Sequence, residues 1–576
     1  MKALDPISFT VIWDRMVGAC NELVTALLQT SFSPVVREAG DLAAALFDPR
    51  GRMLCQPITG TPGHINPLSA GVKNLLAEFP SESLEPGDVL ITNDPWLTTG
   101  QLLDVTVLVP IFRGDRLVAH FACTCHMVDI GGYGPGAGAH DSFEEGILIP
   151  PMYLQRRGEP DRSLLKLLLA NNRNPEHFLG DLESMVASCY VGGGKLLELM
   201  AEYGLEDIEG IGDEILARSR AAQEAAIRRL PEGTYLGETT FDGLDALVTL
   251  RCAVTVRDGQ VEVDFSGSSP ESPYGVNVVL NYTAGYATFA VRSITAPEVP
   301  NNDGSMAPIR VTAPEGCILN ARRPAPTTGR HMVGQFVADA VFDALRPVAG
   351  ERIMAEGAGA IWTTEVRGQR AGRFYSLFIT VSGGTGARPI KDGLNAVSFP
   401  ANIAGVPVEV WEATIPVFIH RRELVPDSGG GGRFRGGLGQ VVELSLPATE
   451  RWIANLLTDR VRSPARGAMG GLPGAPGRVE TLDGQPLPAK GRVPMGPVDG
   501  VRLVTPGGGG WGRPLERDPE LVAEDVREGF VSPKAALEIY GVVLDANGKI
   551  DWVKTAAYRA RRVKMLKQEV SDGEAL

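Results

Sequence analysis

The chain has 576 residues, of which 44% are hydrophobic and 22% charged, and its formal net charge is −14 at pH 7. This length allows roughly two to four domains. The acidic excess argues against nucleic acid or an anionic membrane as the main partner, and no apolar run reaches the ~20 residues of a membrane span. The first residues lack the apolar segment of a signal peptide, and seven scattered cysteines suit reduced thiols. We therefore expect a cytoplasmic protein that binds neither nucleic acid nor membrane.

The N-terminal part begins with a long helix and a β-hairpin. Asp5-Pro6 predicts the start of the helix, and apolar residues that recur at three and four predict one buried face. Asp41–Gln56 predicts a hairpin that turns around residues 48–51, with Asp41 at the end away from the turn. His64 follows in a Pro/Gly-rich stretch, TGTPGHINP, which predicts a loop. A loop histidine is usually solvated.

A second hairpin is the centre of the site prediction. Two β-rich runs, Asp104–Phe112 and Arg116–Cys125, flank a turn signal. Pairing across that turn places Asp104 roughly opposite His126, unless Pro110 marks a bulge that shifts the register. A carboxylate and an imidazole at one point can begin a metal site or an acid/base pair, or can tie a strand end by a hydrogen bond. The polar residues expected near this end of the hairpin are Asn93, Asp94, Gln101, Asp104, His126 and Asp129.

The pattern changes near residue 232. Three helices are predicted before it, Asp161–Arg173, Asp181–Tyr203 and Asp213–Leu230, and strands dominate from Thr234 onward. From Asp518 the pattern is helical again. We expect an α+β, multi-domain protein: a helix-rich domain with β-hairpins and the metal site over 1–232, a mainly β region with glycine-rich turns over 233–515, and a helical C-terminal segment over 516–576.

Two glycine-rich segments invite comparison with phosphate-binding loops, SGGGGRFRGGLG and TPGGGGWG. Neither has the Gly-Lys-Ser/Thr ending of a Walker A loop or the strand-loop-helix context of a dinucleotide fingerprint. Tight turns between strands are the better interpretation. Arg433 and Arg435 could still contact an anion there.

Several segments, in order along the chain, resemble a known family. They include SPVVREAGDLAAALFDPRGRMLCQ, GDVLITNDPW, HMVDIGGYGPG, FEEGILIPP, LLLANNRNPE and PDSGGGGRFRGGLG. Together they are similar to the B-type subunits of ATP-dependent hydantoinases, 5-oxoprolinases and acetone/acetophenone carboxylases, with N-methylhydantoinase B among them. The resemblance spans residues from about Asp5 to Leu544.

The resemblance implies a division of labour between two subunits. A hydantoinase A-type partner binds ATP and phosphorylates the carbonyl or enolate oxygen of the substrate. The B-type subunit then completes ring-opening hydrolysis or carboxylation at a metal-containing site. The absence of an ATP-binding loop in this sequence agrees with that division.

The family's metal ligands correspond here to Asp41, Gln101, Asp104 and His126. Gln101 departs from the pattern, because TTGQLLD stands where GGTHLPD is usual. An amide oxygen suits a hard cation better than zinc, so the metal implied is zinc, manganese or magnesium. In this scheme His64 or Asp129 orients the metal-bound water.

Three functions remain open at this point. The first is ATP-dependent opening of a cyclic amide such as a hydantoin or 5-oxoproline. The second is ATP-dependent carboxylation of a ketone of the acetone or acetophenone type. The third is a structural subunit that keeps the fold without metal or catalysis, for which Gln101 is the main support.

Overall fold

The protein has α+β architecture with several antiparallel sheets, as the sequence predicted. The computed structural model describes residues 5–573, except 245, 360, 371, 447–450 and 498. Within this part of the chain, no helix is both long enough and apolar enough to cross a membrane.

Helices and hairpins alternate in the N-terminal part. The helices are α1 Pro6–Thr30, α2 Pro34–Arg37, α3 Pro62–Glu78, α4 Ser142–Glu145, α5 Arg162–Ala170, α6 Pro175–Glu202 and α7 Glu209–Ile227. The strands are β1 Leu42–Phe47, β2 Met53–Cys55, β3 Val89–Thr92, β4 Asp104–Arg113, β5 Arg116–His126, β6 Met152–Arg156 and β7 Glu159–Pro160. Both predicted hairpins and all the helices predicted before residue 232 are present, with shifts at their ends.

Strands predominate after residue 232. They are β8 Gly233–Phe241, β9 Val248–Arg257, β10 Gln260–Asp264, β11 Ile309–Thr312, β12 Trp362–Arg370, β13 Arg373–Val381, β14 Phe418–Leu424, β15 Gln440–Ser445, β16 Trp452–Leu457, β17 Arg478–Thr481, β18 Lys490–Met495 and β19 Gly500–Val504. The helices are α8 Leu280–Thr295, α9 Asp303–Met306, α10 His331–Gly334, α11 Val337–Ala349, α12 Val408–Thr414, α13 Pro519–Arg527, α14 Pro533–Glu538 and α15 Trp552–Gly573. The boundaries at 232 and 515 stay a prediction.

A seven-stranded sheet in the order β2-β1-β5-β4-β3-β6-β7 forms the centre of the N-terminal part. Because side chains alternate between the two faces of a strand, β1 contributes to two cores. Ala44 and Leu46 pack with α1 and α6 on one face, whereas Ala43 and Ala45 pack with α3 on the other. The sheet is therefore covered by helices on both faces.

The hairpin of β4 and β5 has the predicted pairing, with Asp104 directly opposite His126. Pro110 stays in register, but Val118 is an extra residue between the pairs Ile111–Ala119 and Phe112–Leu117. Without this bulge Asp104 would face Cys125, and His126 would point to the other face of the sheet. The bulge therefore sets which side chains meet at the open end of the hairpin.

The prediction of a loop around His64 was wrong. Helix α3 begins at Pro62 and places His64 in its first turn. Proline is compatible with a first turn, because its missing N–H group would have no partner there. His64 is buried, with 3% of its surface exposed.

The glycine-rich segments pack against one another, backbone to backbone, in what we call the glycine-packed region: residues 383–387, 428–439, 465–474 and 505–512. Gly430 donates to the carbonyl of Gly508, and Gly508 donates to that of Gly437. A Cβ atom on Gly508 would lie 1.9 Å from the carbonyl oxygen of Thr385. Most of these glycines have a negative φ, so close approach rather than turn geometry requires them.

Arg435 takes part in this packing. Its Nη1 donates to the carbonyl of Gly436, and its Nε lies 3.5 Å from Asp525. The guanidinium is buried and already has protein partners, which leaves it poorly placed for the anion contact considered for it.

Candidate active site

A cavity lies at the end of the seven-stranded sheet where β4 begins and β5 ends. Its polar lining comes from both halves of the chain, and its apolar lining includes Leu103, Tyr282, Phe378 and Leu457. The polar residues that line it are Asp41, Thr61, His64, Gln101, His126, Thr328, Arg330, His331, Gln335, Thr363 and Thr380. A small ligand with both apolar and polar groups fits such a lining.

Three neighbouring strands bring three of the predicted site residues together. Asp41 precedes β1, His126 ends β5 and Asp104 begins β4, and these strands are adjacent in the sheet. Asp41 shares the strand face of Ala43, which packs against α3, and Asp104 shares the face of Leu108, which packs there too. This is the face on which α3 presents His64.

Asp104 is the most heavily bonded residue of the cluster. Its side chain has no exposed surface. Oδ1 accepts a hydrogen bond from Gln101 Nε2 at 2.7 Å and lies 3.2 Å from His126 Nδ1. Oδ2 accepts from Thr99 Oγ1 at 2.7 Å and from Arg330 Nη2. All these partners favour the charged carboxylate.

His64 lies between two carboxylates. Its Nε2 is 3.0 Å from Asp104 Oδ2 and its Nδ1 is 3.4 Å from Asp41 Oδ1. Asp41 keeps 18% of its side chain exposed, whereas Asp104 is fully buried. His64 therefore connects the interior of the cluster to its more open side.

Gln101 occupies the corner between Asp104 and His126. Its Nε2 donates to Asp104 and also lies 2.9 Å from His126 Nδ1. The ring of His126 stacks on Phe378, with centroids 5.5 Å apart. Gln101 thus holds a carboxylate and an imidazole in fixed relative positions.

Arg330 is a central residue of the cluster that sequence reasoning missed. It precedes α10, and its side chain is almost wholly buried. Nε donates to the carbonyl of Thr99 at 2.6 Å, and the guanidinium lies 4.2 Å from the ring centroid of Tyr282. Residues 326–331, PTTGRH, have no motif that would have marked this arginine.

Charges within the cavity shift three pKa values. Burial raises the pKa of Asp104, but Arg330 and His64 outweigh burial and hold this pKa well below its usual range. Burial lowers the pKa of His64, but Asp104 and Asp41 outweigh burial and raise it above its ordinary value. Burial, with the charge of Arg330, lowers the pKa of His331 to about 3. His331 is therefore neutral at ordinary pH.

Several polar atoms of the lining residues are buried and have no hydrogen-bond partner among the described residues. A buried polar atom without a partner is destabilising by about 1–3 kcal/mol unless a ligand or water satisfies it. Five such atoms belong to residues that line the cavity, where a polar ligand or water could satisfy them. These atoms are Thr61 Oγ1, His64 Nδ1, Gln101 Oε1, His331 Nε2 and Thr363 Oγ1.

Asp129 is not brought to the cavity. Its Oδ1 accepts from Arg173 Nη1 at 2.5 Å and from the backbone of Gly131. These contacts connect the loop around Asp129 and Gly131 to Arg173. A catalytic role for Asp129 stays a prediction that no contact to the cluster supports.

Asn93 and Asp94 have structural partners as well. Asn93 donates to the carbonyls of Leu102 and Ile147. Asp94 pairs with Arg323. Neither residue lines the cavity.

Comparison with known proteins identifies the family. The family model for hydantoinase B/oxoprolinase matches residues 5–514. The chain belongs to the hydantoinase B/oxoprolinase family.

Similar members of the hydantoinase B/oxoprolinase family align over almost their whole length. The B-type component of a D-/L-hydantoinase from Pseudomonas sp. strain NS671 is 31% identical over 97% of this chain and 98% of its own. The beta component of the caprolactamase of Pseudomonas jessenii is 32% identical over 97% of this chain and 100% of its own.

Solved structures give the same family fold. The crystal structure of the ATP-dependent caprolactamase from Pseudomonas jessenii matches with a TM-score of 0.87 and 29% identity, over 97% of this chain and 100% of that one. The nucleotide-free structure of an acetone carboxylase matches with a TM-score of 0.86 over 99% of this chain and 85% of that one. At 22% identity the second match shows a shared fold alone.

The residues of the cluster do not match the needs of the divalent metal that the family resemblance implies. Gln101 turns its amide nitrogen, a hydrogen-bond donor, toward Asp104 and His126, whereas a metal needs a lone pair. The Arg330 guanidinium already contacts Asp104 and His64. Within the described ranges, no group of three or more His, Cys, Asp or Glu residues is arranged to hold a metal ion. The donor set therefore does not fit a divalent metal.

Proposed function

We propose that this chain is the B-type subunit of an ATP-dependent hydrolase of cyclic amides, and that it completes ring opening on a substrate activated by an A-type ATP-binding subunit. Similar proteins are described as components of a hydantoinase and of an ATP-dependent caprolactamase, which act on cyclic amides. The glycine-rich segments pack against protein backbone, which supports a separate ATP-binding partner.

The observation that carries the proposal is His64 between Asp41 and Asp104 at the wall of the cavity. An imidazole oriented by a carboxylate is a suitable general base and acid. Its Nδ1 makes no hydrogen bond with the described residues. It lies 3.4 Å from Oδ1 of Asp41, the more exposed of the two carboxylates. A water bound between them would be in reach of both groups.

The chemistry then runs in three steps: activation, ring opening and hydrolysis of an acyl phosphate. The partner transfers a phosphoryl group from ATP to the amide oxygen, which makes the amide carbon a better electrophile. Water adds to that carbon, His64 takes a proton from the water, and the ring nitrogen accepts a proton as its bond to carbon breaks. The product is an acyl phosphate with a free amine, and a second water hydrolyses it to carboxylate and phosphate. Acid/base assistance of this kind contributes about 10²–10⁴-fold to a rate.

The lining supports a cyclic amide as the class of substrate. Tyr282, Phe378 and Leu457 offer apolar surface to a ring, while Gln101 Oε1 can accept a hydrogen bond from a ring N–H group. A small cyclic amide has both features. A ketone has no N–H group that could donate a hydrogen bond to Gln101 Oε1. The lining therefore favours a cyclic amide as substrate, and hydrolysis over carboxylation.

The test is to co-express the chain with the A-type subunit of the same host and to supply hydantoin, 5-oxoproline and caprolactam in turn. We expect ADP and a free amine to form together, and we expect no ATP turnover by this chain alone. Appreciable ATP turnover by the isolated chain would contradict the division of labour. A bicarbonate-derived carboxylate as the product, without a free amine, would identify a carboxylase instead.

We also propose a cytoplasmic location. All seven cysteines lie within the described residues, and all are unpaired and buried. Disulfides are rare in the reducing cytoplasm, so this state of the cysteines supports the proposal. Secretion of the mature chain by its native host would contradict it.

A further inference from the structure

We propose that Arg330 is the fixed cation of this site, and that its guanidinium takes the place that the family resemblance gives to a divalent metal. The proposal concerns the charge of the site, so it holds or fails independently of the reaction proposed above.

The side chain of Arg330 lies within the cluster and not at its edge. Its Nη2 contacts Oδ2 of Asp104, a predicted metal ligand, and lies 3.1 Å from Nε2 of His64, the residue predicted to orient the metal-bound water. Gly100 makes room for the side chain, because a Cβ on Gly100 would lie 2.9 Å from Arg330 Cδ. Gly100 also has a φ of +94°, which favours glycine.

A metal and this guanidinium exclude each other. A divalent ion bound to Asp104 Oδ2 would lie about 2 Å from that oxygen, and Arg330 Nη2 is already in hydrogen-bond contact with it. Arginine keeps its charge at any ordinary pH. The carboxylate of Asp104 therefore has its countercharge from the chain itself.

Gln101 gives a second, independent reason. Its amide nitrogen donates to Asp104 Oδ1 and lies 2.9 Å from His126 Nδ1, so a hydrogen-bond donor stands between two atoms that a cation would have to approach. Both nearby substitutes for a metal, the guanidinium and the amide, are hydrogen-bond donors. Together they satisfy the same acceptors that a cation would satisfy.

Arg330 keeps one donor for a ligand. Its Nε and Nη2 are used by Thr99, Asp104 and His64, whereas Nη1 donates to no acceptor in the described part of the chain. A fixed positive charge with a free N–H group stabilises negative charge on a ligand oxygen, as a Lewis acid would. The oxygen of an activated amide is such a ligand atom.

The first experiment is elemental analysis of the wild-type chain, alone and in complex with its partner, after dialysis against a chelator and then a metal-free buffer. We expect far less than one zinc, manganese, magnesium, iron or cobalt ion per chain, and a melting temperature that zinc does not raise. One tightly held ion per chain that is lost in Asp104→Ala would overturn the proposal. Activity is not the readout, because ATP itself needs magnesium.

The second experiment adds a metal site by substitution. The double variant Gln101→His/Arg330→Ala replaces the amide by an imidazole and removes the guanidinium, so we expect it to bind one equivalent of zinc and to melt at a higher temperature with zinc. Gln101→His alone should gain little affinity, because Arg330 stays in place. A folded double variant that binds no zinc would overturn the proposal, and if the variant does not fold, the wild-type analysis decides.

The matched control is Gln101→His/Arg323→Ala. Arg323 pairs with buried Asp94 outside the cavity, so this variant loses the same charge and also an ion pair to a buried aspartate. We expect it to bind zinc no better than Gln101→His. Stoichiometric zinc in this control would mean that Arg330 is not the group that excludes the metal.

Discussion

The cavity and the glycine-packed region differ in what satisfies their polar groups. Around the cavity, side chains converge and leave polar atoms such as Gln101 Oε1 and His331 Nε2 without partners among the described residues. In the glycine-packed region the backbone groups satisfy one another, as in the bonds from Gly430 to Gly508 and from Gly510 to Leu472. The glycine-rich sequence invited a ligand-binding interpretation, yet backbone amides that could bind a phosphate, such as those of Gly430 and Gly508, already donate to carbonyl groups of the same region.

The largest effect should come from the glycine-packed region. Gly508→Ala would place a Cβ 1.9 Å from the Thr385 carbonyl oxygen, and backbone on both sides prevents relief. We expect loss of the folded state, a destabilisation above about 4 kcal/mol, measured by urea unfolding or by the yield of folded protein.

The control is the same glycine-to-alanine substitution at a position where the added Cβ atom has space. Gly194 lies in α6, is exposed, and has no atom within 4 Å of an added Cβ. Gly194→Ala should stabilise the protein by up to about 1 kcal/mol through helix propensity. Equal destabilisation by both variants would contradict the close-packing argument.

The second prediction concerns catalysis in the cavity. His64→Gln keeps a polar side chain but removes the acid/base group, so we expect kcat with the partner subunit to fall about 10²–10⁴-fold. The steady-state rate of free-amine release measures this change in kcat.

His120→Gln is the control for removing a buried histidine. His120 lies on β5 outside the cavity and contacts Ser81 Oγ at 3.0 Å. This variant should change stability and leave kcat within a few fold. A His64→Gln enzyme with wild-type kcat would remove His64 from the proposed mechanism.

The third prediction is that the cavity wall responds to pH. Glu145 accepts from the backbone amides of Thr327 and Thr328, at 2.6 Å each, just before Arg330 in the chain. Burial raises the pKa of Glu145 to about 7 from 4.5. The folded state therefore binds the proton of Glu145 more tightly than the unfolded state does. Protonated Glu145 contributes about 3 kcal/mol to the free energy of unfolding. This contribution is fully present below pH ~4.5 and is lost as the pH rises to ~7.

Glu145→Gln should lack this pH dependence. The free energy of unfolding of the wild type minus that of the variant should therefore become less favourable between pH 5 and pH 7 and stay constant above. Urea unfolding of both proteins across this range measures the difference. A difference that does not change with pH would show that Glu145 titrates normally.

The smallest predicted effect distinguishes the hydroxyl groups of two adjacent threonines on β12. Thr363 and Thr364 both bury an Oγ1 that has no partner in the described part of the chain, but only Thr363 lines the cavity. Replacing either by valine should change stability by no more than about 1 kcal/mol, in the stabilising direction. Thr363→Val should also raise KM for the cyclic amide, whereas Thr364→Val should not. Identical KM values would mean that no ligand reaches Thr363.

The sequence predicted the part of the site that depends on local signals. Turn residues and alternating apolar residues located both hairpins, and from them the meeting of Asp104 with His126. The bulge at Val118, which makes that pairing exact, left no signal because an extra residue in a uniformly apolar strand changes no pattern. His64 was assigned to a loop because proline and glycine at a helix start resemble proline and glycine in a loop.

Arg330 could not be predicted for a different reason. It is separated from Asp104 by 226 residues, and its neighbours in the sequence show no periodicity or motif. The packing of α8 against α3, and of α10 against α8, brings it to the cavity. The glycine-rich segments were misinterpreted because composition does not distinguish a turn from a close contact between two backbones.

That separation of 226 residues also sets an order of events during synthesis. At a translation rate of ~5–20 residues per second, Arg330 leaves the ribosome roughly 10–45 s after Asp104. Until then the carboxylate has no countercharge from the second half of the chain, so it keeps its water and the end of the sheet stays open. The strands can pair early, whereas the cavity closes only when the later half arrives. A nascent chain therefore has its sheet before it has its active site.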